Sequence, residues 1–421
     1  MMRRRLASRP LAEVRELMRS VFPAPDRTVT LPVADAAGRV TAKPVYSPLT
    51  VPETDIAARD GFAVKSRETA GASAANPVRL KNPFRVNTGN AIPPGYDAVV
   101  MIEDVIGEDG TWSTGKAVVP GEHLHPRGSE IRQGDLILPA GHRIRPWDIG
   151  ALLSSGLVTV DVREVRVGLI PTGRELVSAG ELPGPGEVVE SNTAVAAALL
   201  GEAGAACTRY GIVRDEPGLL RQAIMDGVHE NDLLLISAGS SAGTRDFTAD
   251  VIADLGEVLV HGIAMKPGTP AIVGRVGGKP VIGLPGYPIA AQTAARELAL
   301  PLLAAWGFHP RPAERLRARL DGTVTANPGY DEFVLLTVSR TGDRYAATPL
   351  PRGGGTQMAM VRGNAYLHIP AGVGSISDGV EVEVLLTGPH RTLQGGAEVC
   401  EPAPGARIPE KEAASPMKDG P

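Results

Sequence analysis

Hydrophobic and polar positions follow two different rhythms in the first part of the chain. Residues 10–22 carry apolar side chains every three or four positions, which predicts a short amphipathic helix. From 51 to 144, short apolar runs separated by turn residues predict a small all-β domain. Helical spacing returns at 147–155. The β domain is therefore interpreted as an insertion into a discontinuous helical segment, made of residues 1–50 and 145–164.

From residue 165 onward, strands and helices alternate. Largely apolar runs at 165–170, 232–236 and 279–284 are typical of strands that are buried on both faces. Helical segments follow the first and the third of these runs. The alternation predicts a doubly wound α/β domain at 165–310, with a parallel sheet and helices on both of its faces.

The pattern reverts to strands near the end of the chain. Alternating segments such as 332–338 and 380–386 predict a small β-barrel or sandwich over residues 311–395. Beyond that point the chain is polar and rich in Ala, Pro, Glu and Lys. Residues 396–421 are therefore expected to form a disordered tail.

Composition removes several classes of function. The 421 residues include 43 basic and 47 acidic side chains, and only 4% are aromatic, so neither a basic surface nor stacking platforms favour nucleic-acid binding. Cys207 and Cys400 lie too far apart for a zinc ribbon. No apolar run is long enough to span a membrane or to act as a signal peptide. A cytoplasmic protein without a membrane partner is expected.

Candidate chemistry lies on the loops that follow the predicted α/β strands, where open α/β sheets bind ligands. Small residues there let backbone N–H groups approach an anion. Glu175 and Asp246 add carboxylates that suit Mg²⁺ between phosphate oxygens. The alternative is that each loop is an ordinary turn, but three such loops in one domain favour a site. The other candidate ligand-binding residues on these loops are Thr172, Gly173, Gly239, Ser240, Ser241, Gly243, Pro285 and Gly286.

Further polar candidates lie outside those three loops. Lys266 precedes a proline in a rigid loop, where its charge suits a phosphate or an oxyanion, and a solvated loop lysine is the alternative. Asp60, Thr88 and Glu130 each fall in a turn of the predicted β domain, and singly each is an ordinary turn residue.

Other motifs do not carry chemistry. Residues 110–116 (GTWSTGK) approximate a phosphate-binding P-loop, but Ala117 follows where Ser or Thr is required, and the flanking segments read as strands. His123 and His125 alternate along a strand or loop without a cysteine or carboxylate set, so strand-face histidines are favoured over metal ligands. No nucleophile elbow and no catalytic triad is evident.

In their order and spacing, these segments resemble the molybdopterin molybdenumtransferase family, which includes MoeA-type proteins, the plant insertion enzymes and the gephyrin E domain. The resemblance covers about residues 5–390. Each segment is weak alone, and together they are specific. The segments that carry the resemblance are 59–64 (RDGFAV), 87–89 (NTG), 97–101 (DAVVM), 171–177 (PTGRELV), 190–192 (ESN), 237–246, 265–268 (MKPG) and 283–288 (GLPGYP).

The resemblance implies an elongated helical segment, an inserted β domain, a molybdopterin-binding α/β domain and a C-terminal β-barrel, assembled as a homodimer with sites between subunits. It also implies a reaction in which molybdenum from molybdate is inserted into adenylylated molybdopterin and AMP is released, with Mg²⁺ assisting. The implied partners are the molybdopterin-adenylylating protein and the molybdoenzymes that receive the cofactor.

The resemblance assigns roles position by position. It implies catalytic roles for Asp60, Glu175 and Asp246, and metal binding by Glu130, Glu175 and Asp246. It also implies cofactor binding by residues besides those already named on the three α/β loops. These residues are Thr88, Gly89, Lys266, Arg362 and Asn364.

Four positions depart from the family pattern. Arg174 stands where an acid is usual, Thr269 where a second lysine is usual, Tyr287 where an asparagine is usual, and Ala290 where a serine is usual. These changes leave open whether the oxyanion is molybdate or tungstate. They also leave open a non-catalytic molybdopterin-binding paralogue. A nucleotide hydrolase is a third class, but it needs a hydrolytic base that the sequence does not show.

Overall fold

The computed structural model describes residues 8–107, 110–238, 247–310, 312–342, 344–352 and 357–387. The chain divides into two compact units, one ending at Pro312 and the other beginning at Ala313. No helix in these ranges is long and apolar enough to cross a membrane. Predictions for Gly239, Ser240, Ser241, Gly243, Asp246 and the tail at 396–421 fall outside the described residues.

The first unit opens with a helix and a series of short strands. The helices are α1 (Leu11–Val21) and α2 (Pro146–Ser154). The strands are β1 (Thr28–Pro32), β2 (Val40–Thr41), β3 (Val45–Tyr46), β4 (Ile56–Ala57), β5 (Gly61–Val64), β6 (Val78–Arg79), β7 (Phe84–Val86), β8 (Ala98–Met101), β9 (Val105–Ile106), β10 (Ser113–Thr114), β11 (Leu124–His125), β12 (Leu136–Leu138) and β13 (Thr159–Arg163).

Chain segments on either side of the insertion pair with each other, since strand β1 lies antiparallel to β13, which also pairs with β2. Strand β3, just before the insertion, pairs with β12, which lies within residues 51–144. Both helices expected from the spacing are confirmed. The segment also contains the strands β1, β2, β3 and β13, which the helical interpretation did not include. Their apolar side chains form one core with Leu152 of α2 and with Ile144.

The insertion is built around the antiparallel sheet β7–β5–β8. Successive side chains of β5 enter different cores, because neighbouring residues of a strand point to opposite faces. Phe62 and Val64 pack with Val100 on one face, whereas Ala63 packs with Val86 on the other. Both cores consist of few side chains, since every strand in this sheet has three or four residues.

The second half of the first unit contains a six-stranded sheet. The strands from 166 to 284 are β14 (Arg166–Thr172), β15 (Leu176–Val177), β16 (Val188–Val189), β17 (Ala206–Arg209), β18 (Leu233–Ala238), β19 (Gly256–His261), β20 (Met265–Lys266), β21 (Ile272–Val276) and β22 (Lys279–Leu284). The helices are α3 (Asn192–Glu202), α4 (Pro217–Glu230), α5 (Phe247–Leu255), α6 (Pro288–Ala294) and α7 (Leu300–Ala305), with a π-helical stretch at Ala295–Ala299 between the last two.

The strand order in this sheet is β17–β14–β18–β22–β21–β19. The first four strands run parallel, as the three apolar runs predict. Strands β21 and β19 run antiparallel to their neighbours, so the expectation of a purely parallel sheet was wrong at this edge. An antiparallel edge was not visible in the sequence, because exposed Glu257 and Arg275 interrupt the apolar pattern there.

Helices cover both faces of the sheet. Side chains of α4 and α5 pack with Ile170, Ile236 and Val281 on one face. Helix α3 contacts β14, and α6 contacts β22. Because side chains alternate along a strand, the two layers of helices bury opposite sets of strand residues. This arrangement leaves the carboxyl ends of β14, β18 and β22 at one edge, which is where ligands bind in such folds.

The second unit is a closed β-barrel. Its strands are β23 (Arg315–Leu320), β24 (Asp331–Thr341), β25 (Arg344–Pro349), β26 (Ala365–Ile369) and β27 (Glu381–Leu386), and α8 (Gln357–Arg362) precedes β26. The ring closes in the order β24–β25–β23–β27–β26, because β26 pairs back onto β24. Its interior is apolar and includes Leu336, Ile369 and Val384. Of the two predicted alternatives, the barrel is confirmed.

Candidate functional site

The loop after β14 begins with a buried hydroxyl. Thr172 is 2% exposed, and its Oγ1 donates a hydrogen bond of 2.9 Å to Oδ1 of Asp215. Backbone pairing extends the edge of the sheet here, since Gly173 N–H donates to the carbonyl of Val213 at 3.2 Å. Asp215, 43 residues along the chain, thus shares the end of β14 with Thr172 and Gly173.

Glu175 folds back over Gly173. A Cβ atom at position 173 would lie 2.9 Å from Oε1 and 3.0 Å from Oε2 of Glu175, and 2.9 Å from Cγ of Leu176. Only glycine leaves room for the carboxylate in this position, since real Cβ contacts are longer. The carboxylate of Glu175 is half-buried and makes no ion pair within the described ranges. Its two oxygens are therefore available to a ligand at the end of β14.

Asn192 connects the ends of two other strands. Its Nδ2 donates to the carbonyl of Gly286 at 2.8 Å, in the loop after β22, and lies 3.4 Å from Oγ of Ser237 on β18. Gln292 in turn donates from Nε2 to the carbonyl of Asn192 at 3.1 Å. A single side chain at the start of α3 therefore fixes the loop after β22 relative to β18.

Glu190 anchors the approach to that helix. The side chain is 6% exposed and accepts hydrogen bonds from the backbone and the hydroxyl of Thr193, at 2.8 and 2.7 Å. Arg209 completes the group with an ion pair of 3.2 Å to Glu190. A buried carboxylate that is satisfied by three donors is a structural anchor, and it keeps Asn192 at the carboxyl edge of the sheet.

The loop at 265–269 contains the predicted cation. Lys266 is half-buried and precedes a cis-proline bond to Pro267. Thr269 donates from Oγ1 to the carbonyl of Met265 at 2.7 Å, which closes the loop. The residue that replaces a second lysine thus uses its hydroxyl inside the loop, and it supplies no positive charge.

A second group of candidates lies in the insertion. Oδ1 of Asp60 accepts hydrogen bonds from the backbone N–H of Thr88 at 2.7 Å and from its Oγ1 at 3.0 Å. These two bonds, backbone first, together with the nearby positive charge of Arg85, hold the pKa of Asp60 below its usual value. Asp60 is therefore an exposed carboxylate that stays ionised at neutral pH.

The turn that presents Thr88 is fixed by its own backbone. Asn90 N–H donates to the carbonyl of Asn87 at 2.9 Å, and Gly89 takes a φ of +87°, which favours glycine. Strand β4 pairs with β11, and Arg127 N–H donates to Oδ1 of Asp55 at 2.7 Å. The turns that contain Asp60, Thr88 and Glu130 therefore lie near one short strand, β4. Glu130, at the end of this arrangement, is exposed.

The two candidates in the barrel have different surroundings. Asn364 exchanges two hydrogen bonds with the backbone of Val338, accepting at 2.7 Å through Oδ1 and donating at 2.9 Å through Nδ2. Arg362 is exposed at the end of α8. The amide of Asn364 supports the barrel in this structure, and the binding roles of both residues stay predictions.

The candidates thus form two groups in the first unit. One contains Thr172, Gly173, Glu175 and the Asn192–Gly286 link, and the other contains Asp60 and Thr88. Among the described residues, the side chains of the first group bond to one another or to nearby backbone, and those of the second group bond to each other, with no hydrogen bond or ion pair between the groups. Nor do these ranges contain a cluster of three or more His, Cys, Asp or Glu side chains that could hold a metal.

Sequence reasoning missed two members of the first group. Asp215 lies in a segment for which the sequence predicted no role, and only the fold brings it to Thr172. Gln292 is 6% exposed, and its buried Oε1 has no hydrogen-bond partner among the residues that the structure describes. A polar side chain in an otherwise apolar helical segment (PIAAQTAA) was the signal that could have found Gln292.

Comparison with known proteins covers most of the chain. Family models match residues 9–156 ("MoeA N-terminal region (domain I and II)"), 168–305 ("Probable molybdopterin binding domain") and 317–387 ("MoeA C-terminal region (domain IV)"). The molybdopterin molybdenumtransferase of Haemophilus influenzae is 32% identical over 309 residues, which is 70% of this chain and 76% of that protein. That of Bacillus subtilis is 29% identical over 412 residues, which is 90% and 95% of the two chains.

Solved structures agree with this assignment. The molybdopterin biosynthesis MoeA protein from Pyrococcus horikoshii is 33% identical and superposes with a TM-score of 0.77. The match covers 90% of this chain and 99% of that protein. The similarity therefore extends over both units.

Proposed function

The chain belongs to the molybdopterin molybdenumtransferase family, and we propose that its substrates are adenylylated molybdopterin and molybdate, with AMP as a product. The coarser function follows from the relatives: the protein is a transferase that inserts molybdenum in molybdenum cofactor biosynthesis. Adenylylation, AMP release and the assignment of site residues are the proposed part.

The observation that carries the proposal is the gathering of loops at the carboxyl ends of β14, β18 and β22. Asn192 holds the backbone of Gly286 beside Ser237, while Gly173 leaves space for the carboxylate of Glu175. Exposed backbone groups and small residues at this edge suit a phosphorylated pterin. Positioning and electrostatics account for such a transfer without a protein nucleophile, which agrees with the missing triad.

The residues present fit Mg²⁺ as an assisting ion. Mg²⁺ is commonly held by one or two carboxylates together with substrate phosphates, so a preformed cluster of three side chains is not required. Glu175 offers both oxygens and has no competing cation within the described ranges. We propose that Glu175 would hold the ion, with Asp246 and Glu130 as the other predicted ligands. When bound, Mg²⁺ would neutralise phosphate charge.

The other predicted residues have charges that match these substrates. Lys266 and Arg362 provide positive charge for phosphate or oxyanion groups. Asp60, whose pKa the hydrogen bonds from Thr88 lower, is an ionised hydrogen-bond acceptor at neutral pH. These roles are proposals, and each can be tested by substituting the single residue concerned.

Release of AMP tests the function directly. Purified protein is incubated with adenylylated molybdopterin, molybdate and Mg²⁺, and AMP is quantified by chromatography. We expect release that requires all three additions. A folded, pure protein that releases no AMP at saturating substrate contradicts the proposal.

We also propose that the protein is a homodimer in which the insertion (51–144) of one subunit faces the α/β domain (165–310) of its partner. Within the described part of one chain, no hydrogen bond or ion pair joins the two groups of candidates, and a twofold dimer can bring them to one ligand. Light scattering should give twice the chain mass. Mixing Glu175→Gln chains with Asp60→Asn chains should restore part of the activity, because some heterodimers keep one intact site. A monomer at working concentration would refute the dimer.

A second candidate is an insertion enzyme that handles tungstate, or a binding protein without turnover. Thr269 favours this alternative, since it gives the loop at 265–269 no second cation. Competition between molybdate and tungstate in the AMP assay separates the two oxyanions. Binding of the pterin without any release of AMP would indicate the non-catalytic form.

A further inference from the structure

Arg85 lies on strand β7 of the sheet β7–β5–β8, on the same face as Asp60. In the antiparallel pair β5–β7, Arg85 is directly opposite Phe62. Asp60 lies two residues before Phe62, so the side chains of Arg85 and Asp60 are diagonal neighbours on one face of the sheet. Thr88, which donates both hydrogen bonds to Asp60, follows three residues after Arg85.

The aromatic side chains below it hold the guanidinium in place. Its Cζ lies 5.3 Å from the centroid of the Phe62 ring, and Phe62 is 4% exposed. The ring of Trp112 packs against Phe62 with a centroid distance of 4.9 Å. A cation over the face of an aromatic ring is attracted by the ring quadrupole. The ring of Phe62 therefore favours this position of the guanidinium, which is exposed to solvent.

The donors of Arg85 are not engaged by protein groups. The guanidinium makes no hydrogen bond and no ion pair with any residue in the described ranges. Planar N–H donors in this geometry match the oxygens of phosphate-like anions. An ionised Asp60 alone would repel an anion, and the charge of Arg85 offsets that repulsion.

We propose that Arg85 is an oxyanion-binding residue of the active site, which contacts a tetrahedral anion held beside the Asp60–Thr88 turn. The anion is either the phosphate of the pterin substrate or molybdate itself. This proposal rests on the proposed function, because it assigns the anion to that reaction. It goes beyond the predicted site, which included no cation in the insertion.

The test compares full-length variants at this position. Arg85→Met keeps an apolar cover over Phe62 without the charge, Arg85→Gln is a second neutral variant, and Arg85→Lys keeps the charge without the planar fork. Arg79→Met is the matched control, because Arg79 is another exposed arginine of the insertion. KM is measured separately for molybdate and for the pterin substrate. Calorimetry measures binding of sodium molybdate and of inorganic phosphate at low salt.

We expect the neutral variants to raise one of the two KM values about tenfold or more with kcat nearly unchanged, since a charge-assisted contact is lost. A rise for molybdate alone identifies molybdate as the anion, and a rise for the pterin substrate alone identifies its phosphate. Arg85→Lys should show a smaller loss, and Arg79→Met none. The calorimetric affinity for the corresponding inorganic anion should fall in parallel.

Three results would overturn the proposal. They are unchanged KM values and anion binding in folded neutral variants, an equal loss in Arg79→Met, and failure of both neutral variants to fold, which would make Arg85 a structural residue. Failure of the proposed function is distinguishable, because it appears as absent AMP release in the wild type. Calorimetry with the inorganic anions then still tests Arg85.

Discussion

The two groups of candidate residues are supported by different kinds of structure. At the edge of the six-stranded sheet, the loops follow strands whose residues are almost all buried, and side chains such as Asn192 tie one loop to the next. In the insertion, Asp60 and Thr88 are exposed on turns between strands of two to four residues. The first site is fixed by a large core, and the second by local hydrogen bonds.

This difference explains why the two groups respond differently to substitution. A deep core transmits a packing defect to every loop that it supports, whereas an exposed turn depends mainly on its own backbone. Substitutions in the core of the sheet should therefore change stability and activity together. Substitutions of exposed turn residues in the insertion should change activity, affinity or a pKa with little change in stability.

The largest expected effect is in the core below the α/β loops. Leu234 is 1% exposed, and its Cδ1 lies within 3 Å of the Cβ positions that Gly168 and Gly227 lack. We expect Leu234→Ala to lower the free energy of unfolding by about 4 kcal/mol, because the cavity cannot collapse. Urea denaturation followed by circular dichroism measures the change.

Leu80→Ala is the matched change in the insertion, where Leu80 is 4% exposed in a smaller core. Its expected cost is about 2 kcal/mol, near the lower end for buried leucines. A larger loss for Leu80→Ala than for Leu234→Ala would reverse the comparison between the two regions.

Removing the free carboxylate tests the chemistry of the sheet edge. Glu175→Gln should reduce turnover about a hundredfold, as loss of one group that stabilises developing charge typically does. The melting temperature should hardly change, since the side chain is half-buried on a loop. AMP release and calorimetry measure the two effects. Glu202→Gln, an exposed carboxylate on α3, is the control, and wild-type turnover in Glu175→Gln would remove the proposed role.

Two asparagines allow a direct comparison of the regions. Asn192→Ala removes the donor to the partly buried carbonyl of Gly286, which should lower stability by about 1.5 kcal/mol and raise KM for the pterin substrate. Asn90→Ala removes an exposed acceptor for Asn87 N–H and should change stability by about 0.5 kcal/mol or less. If thermal denaturation gave equal losses of stability for the two variants, the exposure of the hydrogen bond would not determine its contribution to stability.

The smallest expected effect is a change in titration. In Thr88→Val the hydroxyl bond to Asp60 is lost but the backbone bond remains, so the pKa of Asp60 should rise and still stay below its usual value. Thr88→Ser should keep the wild-type pKa. NMR of carboxyl-labelled aspartate measures both variants, and an unchanged pKa in Thr88→Val would refute the contribution of the hydroxyl.

The sign of the linked effect on stability follows from the lowered pKa. Asp60 binds its proton less readily in the folded state, so its contribution is present above the unfolded pKa of about 3.9 and is lost as the pH falls through the folded value. The difference in melting temperature between wild type and Thr88→Val should therefore be constant from pH 8 to pH 5 and shrink at lower pH.

The sequence predicts the strands that carry the first site, because β14, β18 and β22 are long apolar runs. It does not predict β17 or β19, where Arg209 and Glu257 are exposed and break the pattern. Edge strands are buried on one face only, so their periodicity is weaker.

For the site, the sequence indicates residues but not their partnerships. Asp60 and Thr88 were each recognised in a turn, yet the bonds between them join positions 28 residues apart. The pairing of Thr172 with Asp215 spans 43 residues. Such contacts arise only when strands pair, and no local spacing encodes them. The binding roles of Arg362 and Asn364 stay predictions.

The link from Gln292 through Asn192 to Gly286 has a consequence for how tightly a substrate is bound. Two amide side chains hold the backbone after β22 before any ligand arrives. The conformational entropy of that loop is thus already lost on folding, and binding does not have to reduce it again. The entropy cost of ordering this loop should then contribute little to the affinity for the substrate. Association should also proceed without a slow rearrangement of the loop.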